Sequence, residues 1–218
     1  MGHEIRHLLQ QGINQLGLSL PDSVVVQLVD YIHEFQRWNK MHNLSAIQSL
    51  EESVSLHLLD SLAVLNTLDG YLKDKPRRIL ADLGTGGGLP GIVLALARPD
   101  LKITLLEPLE RRVNFLEEVK SELGIAFEVK RGKAESAKGQ FDVVTGRAVA
   151  ALPKFLAISW HLVKPGGSIL AMKGASAQEE IDLLKVEKLP KDLAKIQLHE
   201  ITLGELELAR IVELAKAG

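Results

Sequence analysis

A glycine-rich loop that follows a short apolar run constrains the fold of this chain more than any other feature. Residues 79–83 form the apolar run, which contains the acid Asp82, and five glycines stand within residues 84–91. Glycine is needed where a backbone turns sharply or approaches a ligand without a Cβ in the way. At the carboxyl end of the first strand of a doubly wound sheet, such a loop is where nucleotide-like cofactors bind. The pattern therefore predicts a cofactor-binding α/β domain.

Short apolar runs alternate with helical patterns along the rest of this domain. Strands are predicted over residues 79–83, 103–106, 126–129, 141–145 and 168–172. Helices are predicted over residues 92–98, 108–123 and 152–163. This alternation is typical of a parallel sheet covered by helices on both faces. The C-terminal runs, 196–203 and 208–214, are separated by Gly204 and indicate an antiparallel hairpin instead.

The N-terminal third of the chain carries helical patterns only. Apolar side chains recur at spacings of one, three and four within residues 24–38, the stripe of an amphipathic helix with one buried face. Further helices are expected over residues 5–16 and about 51–68. We therefore expect an α/β fold with a doubly wound, mostly parallel sheet. In it, a helical segment of residues 1–75 packs on a cofactor-binding domain of residues 76–218.

Composition excludes several classes of protein. The chain has 218 residues, of which 46% are hydrophobic and 25% charged, close to the average of soluble globular proteins. The absence of cysteine excludes disulfides, cysteine-based metal sites and thiol nucleophiles, and the seven histidines show no spacing typical of zinc. No apolar run approaches the roughly 20 residues that span a bilayer, and no secretion signal is recognisable. We expect a cytoplasmic, metal-free monomer without a membrane segment.

Details of the glycine loop discriminate between cofactors. No Lys followed by Ser or Thr ends the loop, which excludes a P-loop. The dinucleotide fingerprint would start at Gly84 and Gly86, but Leu89 occupies the place of its third glycine. A carboxylate at Asp82 would repel a pyrophosphate and attract the sulfonium and ammonium groups of S-adenosylmethionine. The loop favours the methyl donor, and an NAD-dependent oxidoreductase stays as an alternative.

Acidic residues after the next two strands extend the predicted site. Glu107 lies 23 residues beyond Gly84, a spacing at which a carboxylate binds ribose hydroxyls in nucleotide-binding sheets. The alternative is an ordinary solvated acid. Ala134 and Glu135 follow the third strand and are placed to present a backbone group and a carboxylate to an adenine edge. A simple turn explains the same two residues nearly as well.

Several motifs together resemble one family. They are Trp38-Asn39-Lys40 with Asn43-Leu44-Ser45, His57-Leu58-Leu59-Asp60-Ser61, the loop 84–91 ending in Leu89-Pro90-Gly91, Arg147-Ala148, and Lys173-Gly174. With Asp82, Glu107 and Lys164-Pro165-Gly166-Gly167, the chain resembles class I S-adenosylmethionine-dependent methyltransferases. More specifically, it resembles the RsmG (GidB) family, bacterial methyltransferases that modify guanine N7 in 16S ribosomal RNA. The resemblance covers nearly the whole chain.

This resemblance implies a cofactor, a substrate and a set of site residues. The cofactor is S-adenosylmethionine and the partner is 16S ribosomal RNA or the small ribosomal subunit. The implied cofactor contacts are Gly84, Leu89, Ala134, Glu135 and Arg147, with Glu107 as the ribose-binding acid. To these we add Asp82, Thr85 and Gly86 of the glycine loop as candidate contacts. Gly146, His42 and Leu56 depart from residues that are frequent in the family, which concerns fine RNA contacts more than cofactor binding. A ribosome-assembly module that binds the cofactor without catalysis stays as a further alternative.

We expect no catalytic residue, because guanine N7 exposes a lone pair and carries no proton for a general base to remove. His57, Asp60 and Ser61 share one helix face by their spacing, but three residues on one helix rarely reach the geometry of a catalytic triad. Polar packing against the sheet is the interpretation we favour for them. Arg147 is expected to orient the target base or the methionyl end of the donor.

The basic middle of the chain suggests where RNA binds. Residues 76–173 hold 15 Lys and Arg against 10 Asp and Glu, whereas both ends of the chain are acidic. A difference of this size also occurs in ordinary enzymes. The candidate phosphate contacts are Arg111, Arg112, Lys133 and Lys173. Pairing of the two arginines with Glu110 and nearby acids is an equally good interpretation.

Overall fold

Seven strands form one sheet in the computed structural model, which describes residues 2–72, 78–203 and 207–218. They are β1 (Ile79–Leu83), β2 (Lys102–Glu107), β3 (Glu128–Arg131), β4 (Phe141–Arg147), β5 (Val163–Lys173), β6 (Leu193–Leu203) and β7 (Glu207–Lys216). Their spatial order is β3-β2-β1-β4-β5-β7-β6. The first five are mutually parallel, and β7 is antiparallel to β5 and to β6. The doubly wound α/β fold and the C-terminal hairpin are confirmed; Gly204 lies outside the described residues.

The direction of winding reverses between β1 and β4. From β1 the chain proceeds outward through β2 to β3 and then returns to β4 on the other side of β1. The loops that leave β1 and β4 therefore diverge at the carboxyl edge of the sheet and leave a crevice between them. Ligands of open parallel sheets bind at this type of reversal.

Eight α-helices and a π-helical turn are described. They are α1 (Gly2–Gln15), α2 (Asp22–His42), α3 (Leu50–Ser53), the π turn (Val54–Leu59), α4 (Asp60–Leu72), α5 (Gly91–Ala97), α6 (Glu110–Leu123), α7 (Leu152–Ser159) and α8 (Ala177–Lys185). None of the helices in these ranges combines the length and apolarity that a bilayer crossing requires.

Strand β5 begins at Val163, five residues before the predicted strand, and α7 ends at Ser159 instead of residue 163. Two further elements differ from the expectation. The helix expected over about 51–68 is interrupted by the π turn, whose extra residue per turn leaves no mark on the pattern of apolar residues. Helix α8 was missed, although Ala177, Ile181 and Leu184 are buried at spacings of four and three. Its stripe is short and lies among charged residues, so it gave too weak a periodic signal.

The N-terminal helices and the sheet share one hydrophobic cluster. Ile32 and Phe35 of α2 and Leu58 of the π turn belong to the same buried cluster as Leu80 of β1 and Phe115 of α6. A second cluster on the opposite face joins the sheet to α7 and α8. The N-terminal helices thus cover one face of the sheet. The expected boundary between residues 75 and 76 lies outside the described residues.

Candidate active site

The glycine loop between β1 and α5 needs its glycines for backbone conformation and for packing. The backbone φ angles of Gly84, Gly86 and Gly88 are 62°, 61° and 93°, in the left-handed region that favours glycine. A Cβ at Gly88 would lie 2.4 Å from Ile92 Cδ1, and one at Gly91 would lie 2.2 Å from Leu105 Cδ2. The later glycines are therefore required by packing. Gly84 and Gly86 are half-buried and form the open part of the loop.

Asp82 supports the loop from below. Its Oδ2 accepts hydrogen bonds from Thr85 Oγ1 at 2.5 Å and from the amide of Gly91 at 2.8 Å. The side chain is fully buried, and burial raises its pKa to about 7 against the opposing effect of these hydrogen bonds. Oδ1 has no hydrogen-bond partner among the described residues. We expected this carboxylate to face the ligand. Instead, its hydrogen bonds hold the loop in place, and the buried Thr85 contributes one of them.

Most amides of the loop are bonded within the protein. Five of them donate hydrogen bonds within the chain, namely those of Thr85, Gly86, Gly88, Leu89 and Gly91. Their acceptors are backbone carbonyls and the carboxylates of Asp82 and Glu107. A phosphate-binding loop needs free amides that converge on the anion. This loop lacks such a set of amides, so its geometry disfavours a pyrophosphate and hence a dinucleotide.

Glu107 ends β2 beside the loop. Its Oε2 accepts the amide of Gly86 at 2.9 Å, and its Oε1 accepts the amide of Leu109 at 2.9 Å. The side chain is 1% exposed, so the alternative of a solvated acid is wrong. Each oxygen of a carboxylate has a second lone pair, so Glu107 retains acceptor capacity for hydroxyl groups.

The turn after β3 completes the edge of this site. The amide of Gly132 donates to the carbonyl of Glu107 at 3.1 Å, which brings the 3₁₀ turn Ala134–Ser136 next to the end of β2. Ala134 is buried there and Glu135 is exposed. Leu89, in contrast, packs its side chain into the main hydrophobic cluster.

The four predicted RNA contacts differ in their surroundings. Arg112 Nη1 lies 3.8 Å from Glu107 Oε2, so this arginine belongs to the cofactor side of the site. Lys173 is only 9% exposed; its Nζ donates to the carbonyl of Ala150 at 2.6 Å and pairs with Glu180 at 2.8 Å. We expected Lys173 to be available for a phosphate, but its charge is buried and neutralised by Glu180. Arg111 and Lys133 are exposed and form no ion pair with described residues.

Helix α2 holds the glycine loop from the N-terminal side. The Tyr31 hydroxyl donates to the carbonyl of Gly87 at 2.6 Å, and burial raises the pKa of this hydroxyl above its ordinary value. A Cβ at Gly87 would lie 2.3 Å from Phe35 Cε2, so the ring occupies the space that any side chain would need. Sequence reasoning missed this role. The available signal was a tyrosine on a buried stripe, since a buried hydroxyl must find a partner.

Arg147 at the end of β4 is bound by the π turn and by α4. Its Nη1 donates to the carbonyl of Leu56 at 2.8 Å and to Asp60 Oδ2 at 3.0 Å, and its Nη2 lies 3.2 Å from His57 Nδ1. The predicted polar packing of His57 and Asp60 against the sheet is confirmed. The hydroxyl of Ser61 is buried without a hydrogen-bond partner among the described residues, so no triad forms.

His57 connects Arg147 to the loop that follows α2. Its Nε2 lies 3.0 Å from the Ser45 hydroxyl. Burial, and then the charge of Arg147, lower the pKa of His57 to about 4, so the ring is neutral at pH 7. Nδ1 lies between two groups, at 3.2 Å from Arg147 Nη2 and at 3.0 Å from the carbonyl of Leu56. The contacts to Leu56, Asp60 and His57 together fix the orientation of the Arg147 guanidinium.

A cavity of about 480 Å³ opens beside Arg147. It is lined by residues of the π turn, the start of α4 and the ends of β4 and β5, among them Leu56, Asp60, Arg147, Ala148, Met172 and Lys173. The Cγ2 of Val149, in the same loop after β4, would lie 3.1 Å from a Cβ at Gly84. The cavity and the glycine loop are therefore neighbours. Within the described ranges, no group of three His, Asp or Glu side chains is arranged to hold a metal ion.

Comparison with known proteins agrees with this geometry. The family model described as rRNA small subunit methyltransferase G matches residues 25–208. The chain belongs to this methyltransferase family. A protein called ribosomal RNA small subunit methyltransferase G from Aromatoleum aromaticum is 38% identical over 209 residues, which cover 93% of this chain and 94% of that protein. A protein of the same name from Methylobacillus flagellatus is 42% identical over 176 residues, covering 79% and 82%.

Solved structures support the fold of the family. An rRNA methylase from Streptococcus thermophilus superimposes with a TM-score of 0.53 at 16% identity, covering 71% of this chain and 96% of that one. TrmN from Thermus thermophilus gives a TM-score of 0.55 at 17% identity, covering 75% and 53%. At these identities the likeness concerns the fold alone. This chain therefore shares its overall fold with these two proteins.

The hydroxyl of Tyr31 provides a first test of the site. Tyr31→Phe should lower the free energy of unfolding by about 1–3 kcal/mol, because the buried carbonyl of Gly87 loses its donor, and should weaken binding of S-adenosylmethionine. Tyr71→Phe is the matched control, since Tyr71 also donates to a backbone carbonyl, that of Gly166, but away from the loop. Denaturant unfolding and calorimetric titration measure the two effects. Equal cofactor affinity in both variants would contradict the assigned role of Tyr31.

The raised pKa of Asp82 predicts a pH dependence of stability. An acid whose pKa rises to about 7 on folding binds a proton in the native state that the unfolded chain has already released, so it destabilises the fold as pH rises from about 4 to 7. Asp82→Asn mimics the protonated form and removes this dependence. The unfolding free energy of the wild type should therefore fall relative to the variant over this range, by a few kcal/mol at about 1.4 kcal/mol per pH unit. If the unfolding free energies of the wild type and of Asp82→Asn changed in parallel with pH, the raised pKa of Asp82 would be refuted.

Proposed function

We propose that this chain transfers the methyl group of S-adenosylmethionine to N7 of a guanine in the RNA of the small ribosomal subunit. The observation that carries the proposal is a glycine loop with most of its amides bonded inward and with two buried carboxylates beside it, Asp82 and Glu107. Such a loop suits a cationic ligand and not an anionic one. Membership of the rRNA small subunit methyltransferase G family supports the same substrate.

The residues at the carboxyl edge of the sheet fit this cofactor. Gly84 and Gly86 form an open face without Cβ atoms, where a nucleoside approaches the backbone closely. Glu107 offers acceptor capacity to ribose hydroxyls, and Ala134 with Glu135 border the same edge. Asp82, Thr85 and Leu89 support the loop from inside, and Arg147 stands at the cavity end. When bound, S-adenosylmethionine supplies an electrophilic methyl group on a positively charged sulfur.

The chain itself contributes orientation more than acid–base chemistry. Guanine N7 carries a lone pair and no proton, so we assign no general base. Holding two reacting groups in line at close distance supplies roughly 7–11 kcal/mol of barrier reduction. The fixed guanidinium of Arg147 and the cavity beside it are the elements that would hold the acceptor base. Their rigid contacts to the π turn serve this purpose.

The transferred methyl group gives the decisive experiment. With a labelled donor, small ribosomal subunits should acquire label on one guanine, and mapping should locate it at N7. A protein that binds S-adenosylmethionine in calorimetry but transfers nothing to RNA or subunits would be the non-catalytic assembly module instead. Binding of NAD in preference to S-adenosylmethionine would support the oxidoreductase and overturn the proposal.

We further propose that Arg111 and Lys133 contact RNA phosphates, because they are the predicted cations that stay exposed and unpaired. A double substitution to Ala should weaken RNA binding and reduce the slope of log affinity against log salt by about 1.5, since each phosphate contact releases roughly 0.7–0.9 counterion. Substituting two exposed lysines of the acidic C-terminal region, Lys188 and Lys191, is the matched control. An unchanged slope for Arg111 and Lys133 would remove them from the interface. The ribosomal substrate also implies the expected cytoplasmic location.

A further inference from the structure

Four charged side chains line the cavity, and two of them are fully engaged with each other. Glu180 Oε2 accepts from Lys173 Nζ at 2.8 Å and from the amide of Leu152 at 2.6 Å, while Oε1 accepts from Ser176 Oγ at 3.1 Å. Lys173 also donates to a backbone carbonyl. This pair holds the start of α7 against α8 and has little capacity left for a ligand.

The other pair, Asp60 and Arg147, is held in place but not saturated. Asp60 uses only Oδ2, and its Oδ1 accepts no hydrogen bond from the described residues. Arg147 directs three of its five N–H groups at Leu56, Asp60 and His57, which leaves Nε–H and one Nη2–H. The side chains of Arg147 and Asp60 are 21% and 27% exposed, at the wall of the cavity. The pair therefore offers a ligand two N–H donors of Arg147, the free Oδ1 of Asp60 and the second lone pair of its Oδ2.

We propose that Asp60 and Arg147 recognise the Watson–Crick edge of the target guanine, with Asp60 as the residue that determines specificity. That edge presents the acceptor O6, then the donors N1–H and the 2-amino group, in the order that complements a guanidinium beside a carboxylate. Adenine presents a donor at position 6 and an acceptor at N1. It would therefore place a donor against the guanidinium and an acceptor against the carboxylate. Enzymes that modify single bases commonly recognise them through this edge. This inference rests on the proposed function.

A purely structural role of Asp60 makes a different prediction. If Asp60 only positions Arg147, its removal should affect all target bases equally. If it accepts hydrogen bonds from the base, its removal should matter only when the base carries the corresponding donors. Inosine separates these cases, because it keeps O6, N1–H and N7 of guanine and lacks only the 2-amino group.

The experiment is a double cycle of protein and base. Small subunits are assembled with RNA that carries guanine or inosine at the mapped position, and kcat/KM is measured for the wild type and for Asp60→Ala. Inosine should lower kcat/KM of the wild type roughly 10-fold, the value of one good base contact. In Asp60→Ala, guanine should be methylated roughly 10- to 100-fold more slowly, and inosine should differ from guanine by less than about 2-fold.

Two controls keep the result interpretable. Asp69→Ala removes another carboxylate of α4, one that pairs with Arg98 at the surface, and should leave the inosine penalty intact. Calorimetry of S-adenosylmethionine should give Asp60→Ala an affinity close to that of the wild type, which also reports that the variant folds. An Asp60→Ala variant that keeps the full inosine penalty, or that loses cofactor affinity, would overturn the inference.

A third base analogue distinguishes failure of the inference from failure of the proposed function. 7-Deazaguanine keeps the whole Watson–Crick edge and lacks only the N7 lone pair. It should bind in competition with guanine-containing subunits and receive no methyl group. Methylation of 7-deazaguanine would refute N7 as the acceptor, whereas its lack of methylation with an unchanged inosine penalty in Asp60→Ala would refute only the role of Asp60.

Discussion

The two hydrogen bonds that the buried carboxylate of Asp82 accepts from Thr85 and Gly91 are the interaction on which the rest of the site depends. They join both ends of the glycine loop to the end of β1, so the loop closes on itself and directs its amides inward. A loop closed in this way cannot surround a phosphate, and its outer face is left to a nucleoside with a cationic tail. The preference for one class of cofactor thus follows from where backbone N–H groups point.

The N-terminal helices are part of the active site as well as of the core. Helix α2 places the Tyr31 hydroxyl and the Phe35 ring against Gly87, while the π turn and α4 bind the guanidinium of Arg147. One helical region therefore supports both the loop after β1 and the residue at the end of β4. The crevice between these two strands is where the sheet reverses its direction of winding. Contacts across it couple the cofactor side of the site to the cavity that we assign to the base.

Predictions from local sequence succeeded where the signal was local. The strand 79–83, the helix after Pro90 and the hairpin near the C-terminus appear where periodicity and glycine placement put them, within a few residues. The π turn and α8 were missed because one extra residue in a helical turn, or a short stripe among charged residues, barely changes the apolar pattern. The ion pair of Lys173 was not predicted for a related reason: a lysine in a sequence carries no information about whether an acid such as Glu180 will neutralise it.

Sequence alone determined the fold class, the position of the cofactor loop and the resemblance to a methyltransferase family, because all three rest on patterns between residues that are near in the chain. Only the tertiary structure decided which charges are free and which are paired. Asp60 and Arg147 are 87 positions apart, and Tyr31 and Gly87 are 56 apart. Contacts at such separations depend on how helices pack across a sheet, and the burial that shifts the pKa of Asp82 and of His57 exists only after that packing has formed.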